Sequence, residues 1–204
     1  MQCRPRGGLS QVASGPGILA AVAELRLLFS LRIVRVDAPS VGGEGEARLQ
    51  FRRISSERRA RIFDGGYGLA SNGRWNTRGR PVTYCATVPS LCALEKRVHV
   101  ADAALLPPQV MVCYDVPDAL AQRRIEISDL PPDWPAREVE TQALGDAWLD
   151  GAEEALLIVP SVIVPLGAAP DRNVLVNHRA QGIDLIRIVD IRPFTLDPRL
   201  FAAG

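Results

Sequence analysis

Gly73-Arg74-Trp75-Asn76, Tyr84 and Glu95 are the residues whose types and spacing suit chemistry in this chain. A glycine-delimited turn presents a guanidinium and an aromatic ring. A short strand carries a phenol, and the helix after it brings one carboxylate toward the same place. A cation that forks onto phosphate oxygens and a ring that faces a planar base suit a phosphate-bearing, aromatic-headed ligand such as a dinucleotide. The glycine spacing lacks G-x-G-x-x-G, and no acid after Asp37 stands where a ribose hydroxyl would need one, so a Rossmann oxidoreductase is disfavoured.

The elements that must hold these residues are short. Arg48 to Ile54 alternates like a strand, Pro81 to Cys85 reads as a second, and Pro89 to Val100 places Leu91, Leu94 and Val98 at helical spacing behind an initiating proline. Val110 to Val116 reads as a buried strand, Arg123 to Ile127 as another, and Arg137 to Leu149 as a helix stopping near Gly151. Further strands are expected at Ala155 to Val159, Val162 to Val164, Val174 to Val176 and Ile183 to Ile191. Many short strands with few, brief helices define a mixed α+β domain. Residues 1–45 differ: glycine-rich punctuation surrounds one apolar segment, Ile18 to Val36, and no chemistry is visible there. The expected division is an extension over 1–45 and one domain over 46–204.

A chain of 204 residues with 47% hydrophobic content buries one substantial core. The net charge of +1 argues against nucleic-acid binding driven by overall charge. Its distribution is uneven: nine arginines against Glu57 and Asp64 between Arg48 and Arg80, then eight acids against Arg137 between Asp129 and Glu154. Either an anion-attracting face or local ion pairing follows from that pattern. Cys3, Cys85, Cys92 and Cys113 form no C-x-x-C pair, and only His99 and His178 accompany them, so neither a metal site nor a disulfide framework is expected. No apolar run is long enough to span a membrane, and the N-terminal residues lack a continuous apolar centre, which places the protein in the cytoplasm.

From Phe51 on, the chain resembles the RES-domain family, toxins of bacterial type II toxin–antitoxin pairs. The resemblance is carried by Phe51-Arg52-Arg53-Ile54, Asp64-Gly65-Gly66-Tyr67-Gly68, Gly73-Arg74-Trp75-Asn76, Pro81-Val82-Thr83-Tyr84 and Leu94-Glu95. It continues through Gly145-Asp146-Ala147-Trp148, Val159-Pro160-Ser161, Asn173-Val174-Leu175-Val176-Asn177 and the stretch from Pro193 to Leu200. It implies an ADP-ribosyltransferase-like fold with a largely antiparallel split sheet and short flanking helices. It also implies cleavage of NAD, as substrate and with no separate cofactor, at the nicotinamide–ribose bond.

The family's arginine, tyrosine, glutamate and serine fall by local motif on Arg53, Tyr84, Glu95 and Ser161, with Arg52 the register alternative to Arg53. Strand alternation lets only one of the two arginines point into a cleft. The resemblance thus implies Arg53, Tyr84 and Glu95 as catalytic residues and Arg53, Arg74, Tyr84 and Ser161 as ligand-binding ones. The chemistry agrees, because breaking the glycosidic bond builds positive charge on the ribose and calls for a carboxylate such as Glu95 near the sugar. Arg53 offers the pyrophosphate a fork, Tyr84 offers nicotinamide a ring face, and Ser161, with no histidine base nearby, suits orientation rather than attack. Trp75 also suits a packing anchor and Asn76 a turn-former. The family's Asn-Pro-x-His is interrupted here, where Asn177 is followed directly by His178, which reads as a local hydrogen-bonding residue. The implied partners are a cognate Xre-type helix-turn-helix antitoxin and a second copy in a dimer, with no membrane and no direct nucleic-acid contact.

Overall fold

The computed structural model describes residues 48–201, so the expected N-terminal extension, the Ile18 to Val36 segment and Cys3 lie outside the described residues. Seven strands form one sheet: β1 (Arg48–Ser56), β2 (Val82–Ala86), β3 (Gln109–Pro117), β4 (Gln122–Arg124), β5 (Leu156–Pro160), β6 (Arg172–Asn177) and β7 (Arg187–Phe194). Their order is β4-β5-β6-β2-β1-β3-β7, antiparallel throughout except for the parallel β4–β5 pair. Among the described residues three helices accompany them, α1 (Gly66–Ala70), α2 (Pro89–Val98) and α3 (Glu138–Gly151), with several single 3-10 turns. The mixed α+β class and the largely antiparallel sheet are therefore as expected.

The sheet is split. β1 pairs with β3 along its whole length, from Arg48↔Pro117 to Ser56↔Gln109, and β2 pairs with β6 from Val82↔Asn177 to Ala86↔Asn173. Between the two halves, however, β1 and β2 share only Arg52↔Ala86. Beyond that joint the strands part, and the segment from Glu57 to Pro81, including α1, closes over the gap. With its β2-side edge unpaired beyond the joint, β1 presents side chains from either face to the opening.

Apolar alternation fixes which face of each half is buried. Val82, Leu157, Val159 and Leu175 pack with Trp75, Trp134, Trp148 and Leu149 beneath α3, while Phe51, Val112, Tyr114, Ile158 and Val174 form the core on the other face. Burying a side chain of this size contributes roughly 1.5–3 kcal/mol. Helix α2 begins with Pro89 at its first turn and sets Leu91 and Cys92 against β1, with the Cys92 thiol 3.1 Å from the Arg52 carbonyl oxygen. Glu95, one helical turn after Leu91, is thereby carried to the opening.

Three strand expectations are corrected by local hydrogen bonding. Val162 to Val164 is not a strand, because the Ser161 hydroxyl accepts from the Ile163 and Val164 N–H groups and turns the chain out of the ladder. The strand expected at Arg123 to Ile127 ends at Arg124, where Glu126 and Asp129 form a reciprocal cap on a 3-10 turn. Gly182, at φ +80, starts another such turn, so the last strand begins at Arg187 and not at Ile183.

Candidate functional site

The parted strands enclose a cavity of about 960 Å³ whose lining includes Arg52, Arg53, Arg74, Tyr84, Glu95 and Asn173. Four of the five residues singled out by sequence thus line one space. The fifth, Ser161, is fully buried and lies behind Glu95. Arg52 and Arg53 both line the cavity, against the expectation that alternation admits only one. Their side chains still alternate along β1, Arg52 beside Gln50 and Arg53 over the Tyr114 ring, and both reach the opening because the pairing with β2 stops at Arg52.

The two arginines differ in their surroundings. The Arg53 guanidinium sits 5.7 Å from the centroid of the Tyr114 ring, and its Nη2 donates to the Ile62 carbonyl at 3.0 Å. Its Nε is buried without a protein acceptor among the described residues. Arg52 instead donates through Nη2 to Gln50 Oε1 at 3.2 Å. Arg74 lines the cavity, but its Nη1 donates to the Pro135 carbonyl at 3.0 Å and its Nη2 lies 3.7 Å from Glu138 Oε2. That guanidinium is engaged by the start of α3.

Glu95 is held from behind. Ser161 Oγ donates to Glu95 Oε1 at 3.1 Å, and Asn173 Nδ2 donates to the same oxygen at 2.7 Å. Oε2 has no protein hydrogen bond among the described residues. Asn173 was not picked out as a site residue by sequence. The signal was available, since Asn173-Val174-Leu175-Val176-Asn177 places a polar amide at the start of an otherwise apolar strand.

The Tyr84 hydroxyl is turned away from open space. It donates to Asn76 Oδ1 at 2.8 Å and accepts from the Trp75 N–H at 3.1 Å, so the phenol fastens the Gly73–Asn76 turn while its ring lines the cavity. Burial raises its pKa well above the ordinary phenol value. Tyr67 crosses it edge-on with centroids 5.7 Å apart. Trp75 is a buried packing anchor, 6.2 Å from the Trp134 ring, and Asn76 is fully buried. A side chain at Gly73 would press on the Tyr84 hydroxyl, and one at Gly145 would collide with the Trp75 carbonyl, so both glycines allow close approach.

Part of the uneven charge of the sequence is paired across the molecule, through Arg74 and Arg80. Arg80 bridges Asp150 at 2.7 Å and Asp146 at 3.2 Å, and Asp146 also accepts from the Thr77 N–H and hydroxyl at 2.8 and 2.6 Å. The acidic α3 thus clamps the arginine-bearing turn that carries Trp75.

The thiols and the imidazole of His178 near the cavity are poor nucleophiles or bases. Burial pushes the Cys85 and Cys92 thiols up to about 12, leaving them protonated at neutral pH. Burial pushes His178 down to about 4; its Nε2 lies 2.8 Å from Thr83 Oγ1 and its ring packs edge-on against Phe63, the local role expected of it. Burial also lowers the Lys96 pKa, and Lys96 lines the same cavity. Among the described residues no cluster of His, Cys, Asp or Glu fits a metal ion, Cys85, Cys92 and Cys113 are free, and no helix is long and apolar enough to cross a membrane.

A split, largely antiparallel sheet with a guanidinium, a phenol ring and a buttressed carboxylate around its parting defines a small α+β protein with a cleft between its half-sheets. Residues 50–197 match the RES domain, and the chain belongs to that family. Its relatives include Toxin Res of Photorhabdus laumondii, 36% identical over 64% of this chain and 83% of that protein, and Toxin Res of Pseudomonas putida, 36% identical over 68% and 92%. A third, the Prs ADP-ribosylating toxin of a Sphingobium species, is 31% identical over 74% of this chain and 95% of its own length. The fold is similar to that in the crystal structure of the M. tuberculosis MbcT-MbcA toxin-antitoxin complex, with TM-score 0.60 and 19% identity over 76% of this chain and 88% of that one.

Proposed function

We propose that the protein is a toxin that consumes NAD by breaking the nicotinamide–ribose bond, with water or phosphate as acceptor. The observation that carries this reading is Glu95, whose Oε2 has no protein hydrogen bond among the described residues, lining one cavity with Arg53 and Tyr84. Departure of nicotinamide takes the C1′–N electron pair onto the ring nitrogen and neutralises the pyridinium. The ribose carries the resulting positive charge until an acceptor oxygen adds at C1′ and gives up its proton. Glu95 stabilises that charge, which exists only near the transition state.

Arg53 meets the pyrophosphate through its guanidinium, and Tyr84 offers its ring face to nicotinamide. Ser161 acts through Glu95, not on the ligand directly. Arg52 and Lys96 add positive charge along the same walls. The cavity cysteines are held as thiols, and the acceptor in this reading is water or phosphate.

A second reading is transfer of ADP-ribose to a protein, favoured by the 31% identity to the Prs ADP-ribosylating toxin. The chemistry at C1′ is the same, and only the acceptor differs. By analogy with the MbcT-MbcA toxin-antitoxin complex, an antitoxin is the proposed partner; its Xre helix-turn-helix type is what the family resemblance implies. Induction of the wild-type chain in a bacterial host is expected to arrest growth and deplete NAD, and Glu95→Gln to do neither while accumulating as folded protein. Arrest with undiminished NAD and with ADP-ribose on a host protein supports the second reading. Arrest by Glu95→Gln at the wild-type level contradicts both.

A further inference from the structure

We propose that Asn173 is a positioning residue that sets the direction of the Glu95 carboxylate, an inference that rests on the reading of Glu95 as the group facing the sugar. Asn173 Nδ2 approaches Glu95 Oε1 more closely than Ser161 Oγ does, at 2.7 Å against 3.1 Å. Both donors meet one oxygen, and Oε2 is left without a hydrogen bond among the described residues. A carboxylate held by one donor swings about that bond. Two donors from different segments fix its plane.

The two donors are themselves fixed in direction. Ser161 Oγ accepts from the Ile163 and Val164 N–H groups at 3.0 and 3.4 Å, so its single proton is left for Glu95. An Asn173 amide turned the other way would set a carbonyl oxygen against a carboxylate oxygen, so Glu95 itself selects the amide orientation. Asn173 lies opposite Ala86 in the β2–β6 ladder, and Ala86 is the residue paired with Arg52 at the joint of the two half-sheets. The amide therefore stands at the edge where the cleft opens, on backbone held by a full ladder. Side chains placed for catalysis gain from such rigid support, since a displacement of about 1 Å lowers rates on the order of a hundredfold.

The test is a double-mutant cycle on nicotinamide release from NAD. Asn173→Ala is expected to lower kcat by about tenfold to a hundredfold while KM stays within about threefold, because the ground-state contacts to the ligand persist. Asn173→Asp, of the same size but without the donor, is expected to lose at least as much. In a Glu95→Gln background, Asn173→Ala is expected to have no further effect. An additive loss in that background, a raised KM at unchanged kcat, or wild-type kcat in Asn173→Asp overturns the proposal. A structural arm separates it from the NAD reading: crystal structures of wild type and Asn173→Ala should show the Glu95 carboxylate turned from its position. An unmoved carboxylate rejects the role of Asn173, whereas a wild-type enzyme that leaves NAD intact rejects the NAD reading alone.

Discussion

The Tyr84 hydroxyl donates to Asn76 Oδ1 at 2.8 Å and thereby ties a central strand to the turn that roofs the cleft. The phenol proton is committed inside the protein, so the ring, not the hydroxyl, is what Tyr84 offers a ligand. Tyr84→Phe leaves the Asn76 oxygen and the Trp75 N–H unpartnered, and the expected destabilisation is about 1–3 kcal/mol in urea unfolding. Nicotinamide release per folded molecule should stay within about tenfold of wild type, since one general acid–base contact is typically worth 100-fold or more. Tyr84→Ala, which removes the ring, should raise KM as well. A hundredfold fall in kcat for Tyr84→Phe would assign the hydroxyl to the chemistry.

Ser161 combines two tasks in one hydroxyl. It donates to Glu95 and accepts from two N–H groups that would otherwise continue a strand. Ser161→Ala is expected to destabilise the fold by about 1 kcal/mol and to reduce kcat about tenfold or more. Steady-state kinetics beside a denaturant titration separates the two effects. Full kcat in Ser161→Ala would show that Asn173 alone suffices to hold Glu95.

Gly145 lets α3 lie against the turn that carries Trp75. A methyl group there meets the Trp75 carbonyl, which is backbone and cannot swing aside. Gly145→Ala is expected to destabilise the protein by about 3 kcal/mol or more, a large effect for one methyl, despite the better helix propensity of alanine. Thermal unfolding checks this, and a Tm equal to or above that of wild type would contradict the packing.

His178 links stability to pH. Its pKa in the folded protein is depressed to about 4 from 6.5, chiefly by burial. As pH falls, the unfolded chain takes up this proton first, so the His178 contribution is intact above pH 6.5 and is lost as pH falls toward 4. His178→Gln is expected to show a smaller drop in urea midpoint between pH 7 and about 4.5 than wild type, the carboxylates being common to both. Equal drops would show that His178 is solvated in the native state.

Much of the site was legible in the sequence because its residues sit in segments with strong local signals. Glu95 lies within a proline-initiated helix with apolar residues at helical spacing, and Tyr84 lies in a short strand just beyond a glycine-delimited turn. Strand alternation did not decide between Arg52 and Arg53, because β2 departs after Arg52↔Ala86 and leaves that edge of β1 open to both side chains. Nothing local in either strand records that parting. The apolar run Val162 to Val164 looked like a strand until the Ser161 hydroxyl took two of its N–H groups, and a side chain competing for backbone bonds leaves no trace in hydropathy. Arg74 was expected to serve the ligand, and its engagement with Pro135 and Glu138 depends on α3 packing more than sixty residues away in the chain. The same long-range pairing accounts for Asp146 and Asp150 within the acidic run, which meet Arg80 and Thr77.

The most direct measurement is release of nicotinamide from NAD by the purified protein with no protein acceptor, in the presence and absence of inorganic phosphate. Stoichiometric nicotinamide with ADP-ribose, or with its phosphorylated form when phosphate is present, and a loss of about 100-fold or more in Glu95→Gln, is the predicted result. Intact NAD after prolonged incubation, or wild-type turnover by Glu95→Gln, would contradict the assignment of Glu95 to the sugar.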